Sequence, residues 1–243
     1  MFRLLKVLPL ALAIVALGLF AASCNSGGNA LVRVVNAIPD APAALDVTVN
    51  GTKDFPGVQF DTVYPTQKPA GPAQYTSVVS GSVTVEAFDT GTTSDPVVNS
   101  TNATLGASTQ YTMLLAGFLN SSPSAYVIPD NNTVPTTGNV NIRIINGSAV
   151  SGSNGVDIYI CQTGLQPPAN PSVSALSMGA SSGYLPWTFE PSYSFDVYFH
   201  GNLGSHFTFS QDFVTGEIMT LVIVDEPNGG AISDIPIVLV DLD

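Results

Sequence analysis

Two cysteines, six basic residues and one tryptophan among 243 positions exclude several kinds of protein before any motif is sought. Two cysteines cannot make a disulfide framework, so stability has to come from burial. Lysine and arginine number 6 against 18 aspartates and glutamates, a formal charge of −12. A surface of that sign repels phosphate backbones and anionic head groups, which excludes nucleic acid as a partner. Long apolar runs are also scarce. The one uncharged stretch that stands out, Val7 to Ala22, has 16 residues and as a helix would cover roughly 24 Å, short of the ~30 Å hydrocarbon layer. Past it, no segment shows sustained helical periodicity with caps.

What is present begins at the N-terminus. Arg3 and Lys6 precede the apolar run, the layout of a secretory signal. The box Ala21-Ala22-Ser23-Cys24 resembles the end of a bacterial lipoprotein signal, in which the cysteine is lipidated. That resemblance implies a signal peptide over 1–23, then a lipidated Cys24 and short tether over 24–30, with acyl chains that hold the protein to a membrane. The alternative is ordinary cleavage after Ser23, which leaves a free thiol. Without the signal the chain keeps Arg33, Lys53, Lys68 and Arg143 against all 18 acids. Lipidation of Cys24 also leaves Cys161 without an intramolecular partner.

The rest of the chain reads as one pattern written twice. "LVRVVNA" at Leu31 returns as "NIRIING" at Asn141, matching Arg33 with Arg143 and Asn36 with Asn146. "LDVTVN" at Leu45 returns as "VDIYIC" at Val156, matching Asp46 with Asp157; "SVTVEAF" at Ser82 answers "SFDVYFH" at Ser194, and "YTMLLAG" at Tyr111 answers "MTLVIVD" at Met219. Apolar residues alternate within these runs: Leu45, Val47 and Val49 against Asp46, Thr48 and Asn50; Phe195, Val197 and Phe199 against Asp196, Tyr198 and His200. Period two over short β-branched and aromatic runs, punctuated by Asn50-Gly51, Pro39-Asp40 and Gly201-Asn202, predicts strands with one buried face. The expected fold is all-β, with two tandem immunoglobulin-like antiparallel sandwiches of roughly seven strands each, over 31–128 and 140–243. A polar linker with two prolines, 129–139, joins them.

The opening of the first copy, "VRVVNAIPDAPAALDVTVNG" (Val32 to Gly51), resembles the bacterial domain of unknown function 4397 family. In the second copy, "LSMGASSGYLPWTFEPSYSFDVYF" (Leu176 to Phe199) is similar to a later strand, loop and strand of that family. The resemblance implies a secreted or surface β-sandwich and supplies no catalytic residues.

Candidate chemistry is sparse. "GASSG", Gly179 to Gly183, matches a nucleophile elbow in form, and Ser181, Asp196 and His200 occur in hydrolase order. The elbow needs a strand entering a sharp turn into a helix, whereas strand-like "YLPWTF" follows. His200 and His206, with Asp196 or Asp212, lack the tighter spacing of zinc sites. Asp130-Asn131-Asn132 and Asp241-Leu242-Asp243 offer oxygen ligands for calcium but no defined loop. Arg33 and Arg143 are the basic residues inside predicted strands, each one strand before a matching aspartate. Structural cross-strand pairs Arg33–Asp46 and Arg143–Asp157 are therefore expected to fix register. Cys161 falls on the polar face with Tyr159, a half-buried inert thiol. Trp187, Phe189, Tyr193, Tyr198, Phe207 and Phe209 gather in the second copy, where an aromatic surplus suits a core or a carbohydrate or protein face.

The expected function is a non-catalytic extracytoplasmic lipoprotein. It needs no cofactor, is held through Cys24 to the bacterial envelope at the outer membrane, and binds or supports an envelope protein or carbohydrate. Self-association as a surface or adhesion protein through strand edges is a second reading. A serine or metal-dependent hydrolase is a third.

Overall fold

The computed structural model describes residues 28–41, 44–67 and 73–242. The signal segment 1–23 and the expected anchor Cys24 lie outside the described residues. The described chain is built of β-strands, with single 3-10 turns at Leu119–Ser121 and Pro227–Gly229.

The first half runs β1 (Asn29–Ala37), β2 (Ala44–Val49), β3 (Thr52–Gln59), β4 (Thr62–Tyr64), β5 (Thr76–Val79), β6 (Gly81–Asp89), β7 (Val98–Leu105), β8 (Gln110–Ala116) and β9 (Ser124–Pro129). The second runs β10 (Asn139–Asn146), β11 (Val156–Gln162), β12 (Val173–Leu176), β13 (Ser181–Thr188), β14 (Ser192–Phe199), β15 (Asn202–Asp212), β16 (Ile218–Ile223) and β17 (Ile237–Leu242). Each half makes two sheets. In the first, β4-β1-β8-β9, with β5 also on β1, packs over β3-β2-β6-β7; in the second, β13-β10-β16-β17 packs over β12-β11-β14-β15.

The pairing differs from the expected purely antiparallel sheets at one place in each half. β1 runs parallel to β8, with Arg33 opposite Thr112, and β10 runs parallel to β16, with Arg143 opposite Thr220. Both parallel pairs join the first strand of a half to its penultimate one, so the chain encircles each sandwich before its last strand is added. A parallel pair needs a long crossover, and the intervening strands supply it.

Burial explains which strands alternate. β6 and β14 show a strict in–out pattern, because one side faces the core and the other solvent. β8 and β16 are buried almost throughout. Their two sheets lie inside the stack: Val32, Val34, Met113 and Leu115 face the first core, while Val35, Ala37, Leu114, Ala116 and Ile128 meet Ile145, Val222, Val224, Ile237 and Leu239 of the second half. Sheets buried on both faces require near-continuous apolar runs. The result is four layers, outer–inner–inner–outer.

Asn36 and Asn146 close the two opening strands in the same way. Each side-chain carbonyl accepts the N–H two residues on, from Ile38 and Ser148, and each amide donates across to the outer sheet, to Val58 O and Leu176 O. Such Asx geometry turns the chain from the inner sheet toward the outer one.

Candidate functional site

The two strand arginines sit at the centre of the stack, not on a sheet surface. Arg33 is 1% exposed and Arg143 0%, a position an arginine holds only when paired. In the first half, Arg33 Nε donates to Thr112 Oγ1 at 2.9 Å, and Thr112 Oγ1 donates to Asp130 at 2.8 Å. In the second, Arg143 Nε donates to Thr220 Oγ1 at 2.8 Å, and Thr220 Oγ1 donates to Asp241 at 2.6 Å. The halves then exchange partners. Arg143 Nη2 lies 2.8 Å from Asp130, and Arg33 Nη2 donates to Asp241. A closed ring follows, Arg33–Thr112–Asp130–Arg143–Thr220–Asp241, in which each guanidinium's closest carboxylate belongs to the other half.

Two tyrosines complete it. Tyr75 OH donates to Asp130 at 2.8 Å and Tyr184 OH to Asp241 at 3.2 Å, while the Arg33 and Arg143 guanidiniums lie 5.4 and 4.6 Å from the centroids of those same rings. The ring carries two positive and two negative charges and is neutral, the condition for burying four ions together. Burial alone would lower the Arg33 guanidinium, but Asp241 and Asp130 outweigh it and hold it above its usual range. One asymmetry remains. Arg143 Nη1 donates to Pro129 O at 3.1 Å, whereas the matching carbonyl, Val240 O, is taken by Gln67 Nε2, and Arg33 Nη1 has no hydrogen-bond partner among the described residues.

Burial raises both phenols well above the ordinary tyrosine value; Arg33 pulls the first back in part, while Asp241 raises the second further. A raised folded value contributes stability that is present below the unfolded pKa of about 10 and is lost as pH rises through the folded value. In an alkaline titration followed by phenolate absorbance, Tyr75 and Tyr184 are expected to stay protonated past pH ~10 and ionise only as the fold is lost. Ionisation of all eight tyrosines together near pH ~10 would contradict the burial of the ring.

This geometry corrects the expected Arg33–Asp46 and Arg143–Asp157 pairs. β1 and β2 belong to different sheets, as do β10 and β11, so the pairs cannot be cross-strand neighbours. Asp46 instead takes Lys53 Nζ at 2.6 Å and the N–H groups of Gly57 and Gly91. Asp157 takes Ala175 N–H and Ser174 Oγ, with His200 Nδ1 at 2.9 Å. In both, burial would raise the carboxyl, but these bonds prevail and hold it below the usual range. Each aspartate pins a neighbouring outer strand and the turn beyond the next one. Asp130 and Asp241, weighed in the sequence as oxygen donors to calcium, spend their oxygens on the ring. Pro129 ends β9, and the Asp130 side chain is fully buried, so the polar link between the halves begins only at Asn131.

The hydrolase constellation does not assemble. Ser181 Oγ accepts Gly183 N–H, Asp196 accepts Thr208 Oγ1, and His200 belongs to Asp157. Ser181 opens strand β13, not a helix. Among the described residues no group of three histidine, cysteine, aspartate or glutamate side chains could hold a metal ion. Cys161 is half-buried, its Sγ 3.7 Å from Leu165 O, and burial followed by the charge of Asp196 raises its thiol.

Two places on the outer sheets gather groups that can hold a ligand. In the second half, Tyr198 stacks on the exposed His206 at 4.6 Å and 17°, and Tyr159 meets Tyr198 edge-on at 5.4 Å and 78°. Alternation turns all three to solvent, away from Phe195, Val197 and Phe207 of the core. Asp196 and Thr208 lie in the same row, with Asp157 and His200 at its end. Of the aromatics singled out in the sequence, Tyr193 is buried and Trp187, Phe189, Phe207 and Phe209 pack on the core, which leaves Tyr198 facing out. In the first half, Asp46, Thr48, Gly51, Lys53, Glu86 and Phe88 line a cleft of about 260 Å³ together with Thr92 and Thr93.

Sequence reasoning missed Asp130, Asp241, Tyr75, Tyr184 and the two threonines as partners of the arginines. A signal existed: "AYVIPD" and "PIVLVD" each end an apolar strand on aspartate, at Asp130 and Asp241.

Similar structures are remote. The chain is 10% identical to the Bacillus anthracis TIE protein at a TM-score of 0.26, with 83% of this chain and about a third (34%) of that one covered. A streptococcal virulence factor described for alpha-glucan binding gives 8% identity, TM-score 0.24 and coverage of 84% and 96%. Family 41 carbohydrate-binding modules from streptococcal virulence factors give 9%, 0.26, 81% and 94%. No curated protein matches the sequence. A family model does, over residues 30–159, which is all of the first sandwich with β10 and most of β11, and the chain belongs to that family, the domain of unknown function DUF4397.

Proposed function

We propose that the protein is a non-catalytic, extracytoplasmic binding module of the bacterial envelope, tethered through lipid on Cys24, and that the outer sheet of its second half holds a neutral carbohydrate. The observation that carries this reading is the solvent-facing row Tyr159–Tyr198–His206 with Asp196 and Thr208 beside it. The C–H face of a pyranose is apolar and rests on aromatic surface, while its hydroxyls need acceptors and donors at the rim. His206 covers one face of Tyr198, so the surface left for a sugar is that of Tyr159 and the outer side of His206. A net charge of −12 disfavours uronic or phosphorylated polymers and favours an uncharged one.

The test is equilibrium binding to a soluble α-glucan, a β-glucan and a mannan, with Tyr159→Ala as the variant. One of the three is expected to bind, and the substitution to weaken it about tenfold, near 1.4 kcal/mol. Equal binding by the variant, or none by the parent, would overturn the reading. The tether is tested by detergent partitioning and the intact mass of the N-terminal residue, which on this account carries acyl chains.

A further inference from the structure

The outer face of the first half repeats part of that row: Phe88 stands where Tyr198 does, and Thr48 replaces Tyr159. Asp157 stands opposite Tyr198 in the β11–β14 ladder, and Asp46 stands opposite Phe88 in the β2–β6 ladder. One step along, Tyr159 faces Asp196 and Thr48 faces Glu86. Each half therefore presents, on its solvent side, an aromatic ring across from the pinned aspartate and an acid two residues before the ring. Phe88 is half-buried, so part of its ring is open.

The surroundings differ in a way that bears on size. Where the second half has an open row, the first has a cleft of about 260 Å³ lined by Lys53, Glu86, Thr48, Thr92 and Thr93. That is slightly below the range of drug-sized ligand pockets, ~300–1,000 Å³, and suits one sugar unit better than a stretch of chain. The cleft offers a ring for the C–H face, hydroxyls that donate and accept, Glu86 to accept, and Lys53 to donate. Lys53 is already bonded to Asp46, so its charge is answered and the cleft has no surplus positive charge for an anion.

We infer that Phe88 and its cleft form a second neutral-sugar site, and that the protein is bivalent. This inference rests on the carbohydrate reading of the second half. The layer order gives it its consequence: the inner sheets pack on each other, so the two outer faces point in opposite directions. Three gaps between layers of about 10 Å each set them ~30 Å apart. Two sites on opposite faces cannot lie on one short glycan segment, so they join separate strands or separate ends. The predicted activity is cross-linking of a neutral glycan.

The experiment uses the full chain without lipid and whichever of the α-glucan, β-glucan or mannan binds. A short oligosaccharide of that glycan is titrated calorimetrically, and light scattering is followed with the polymer. Two oligosaccharides per chain and growing scattering are expected. Phe88→Ala should reduce the ratio to one and abolish the scattering, while Tyr159→Ala removes the other site and also abolishes it. A ratio of one that Phe88→Ala leaves unchanged overturns the second site and leaves the first. A ratio of one that Phe88→Ala abolishes and Tyr159→Ala spares keeps the cleft but overturns bivalency and the second-half reading. No binding of any probe overturns both. Hydrogen exchange at β2 and β6 amides, unchanged in Phe88→Ala, controls for misfolding of the first half.

Discussion

Replacing Asp241 by alanine is expected to destabilise the protein by about 3–5 kcal/mol, although it removes one short side chain from the penultimate described residue. The reason is what stays behind. Arg33 loses its closest carboxylate while still 1% exposed, Thr220 and Tyr184 lose their acceptor, and the neutral ring acquires a net positive charge in the middle of the stack. Asp130 is 3.4 Å from Arg33, but it also serves Arg143, so it cannot answer both. An uncompensated buried ion costs far more than the pair contributed, because desolvation is no longer offset. The double variant Arg33→Met with Asp241→Leu removes both charges and keeps the volume. It is expected to recover most of the loss. Chemical denaturation of the parent, Arg33→Met, Asp241→Leu and the double variant closes the cycle, and a double variant no more stable than Asp241→Leu would contradict this account of the ring.

The second large effect concerns cooperativity. Each half has a core of its own, and a largely exposed segment, 131–138, connects them, which read alone suggests two units that unfold separately. The inner sheets argue otherwise. Val35, Leu114, Ile128, Ile145, Val222 and Leu239 are covered by the opposite half, fully or nearly so, and the closest ion pairs of the ring cross the same boundary. Opening that boundary exposes two alanines and eight valine, leucine and isoleucine side chains, the latter at up to about 1.5–3 kcal/mol for each one fully uncovered, together with four ions stripped of their cross-partners. Glycines reinforce the fit. Gly179, at φ +78°, leaves no room for a Cβ, which would meet the Tyr126 ring of the first half, and a Cβ on Gly147 would stand 2.9 Å from Ala37. A half that separates therefore loses much of what stabilises it, so neither is expected to persist folded while the other is unfolded.

The sequence displayed the fold class and the repeated strands because alternation is a local signal: Leu45, Val47 and Val49 face the core they were expected to face. It did not display the layer order. "LVRVVNA" and "YTMLLAG" are apolar without alternation because both faces are covered, and pattern reading that expects one wet face assigns Arg33 to a sheet surface. The partners of Arg33 and Arg143 were hidden for a related reason. They come from the far end of each half and, for the closest carboxylate, from the other half, so no spacing within one copy points to them. The parallel pairing of β1 with β8 was likewise invisible, since short turns between neighbouring strands imply hairpins and say nothing about how the first strand docks against the penultimate one. On the candidate site, alternation placed Tyr198 outward correctly, but Tyr159 and His206 became part of a row only once register aligned three strands.

The exchange of ion partners between the two sandwiches is the claim on which the rest depends, since the rigid stack sets the opposed directions of the outer faces. The sole tryptophan, Trp187, lies in β13 of the second half and reports on that half alone. Its fluorescence through a denaturant titration, compared with hydrogen exchange at β2 and β6 amides of the first half in the same solutions, is the most direct test. The account predicts one midpoint for both, moved equally by Asp241→Ala. Two separated midpoints, or a substitution at Asp241 that leaves the first half's exchange unchanged, would contradict it.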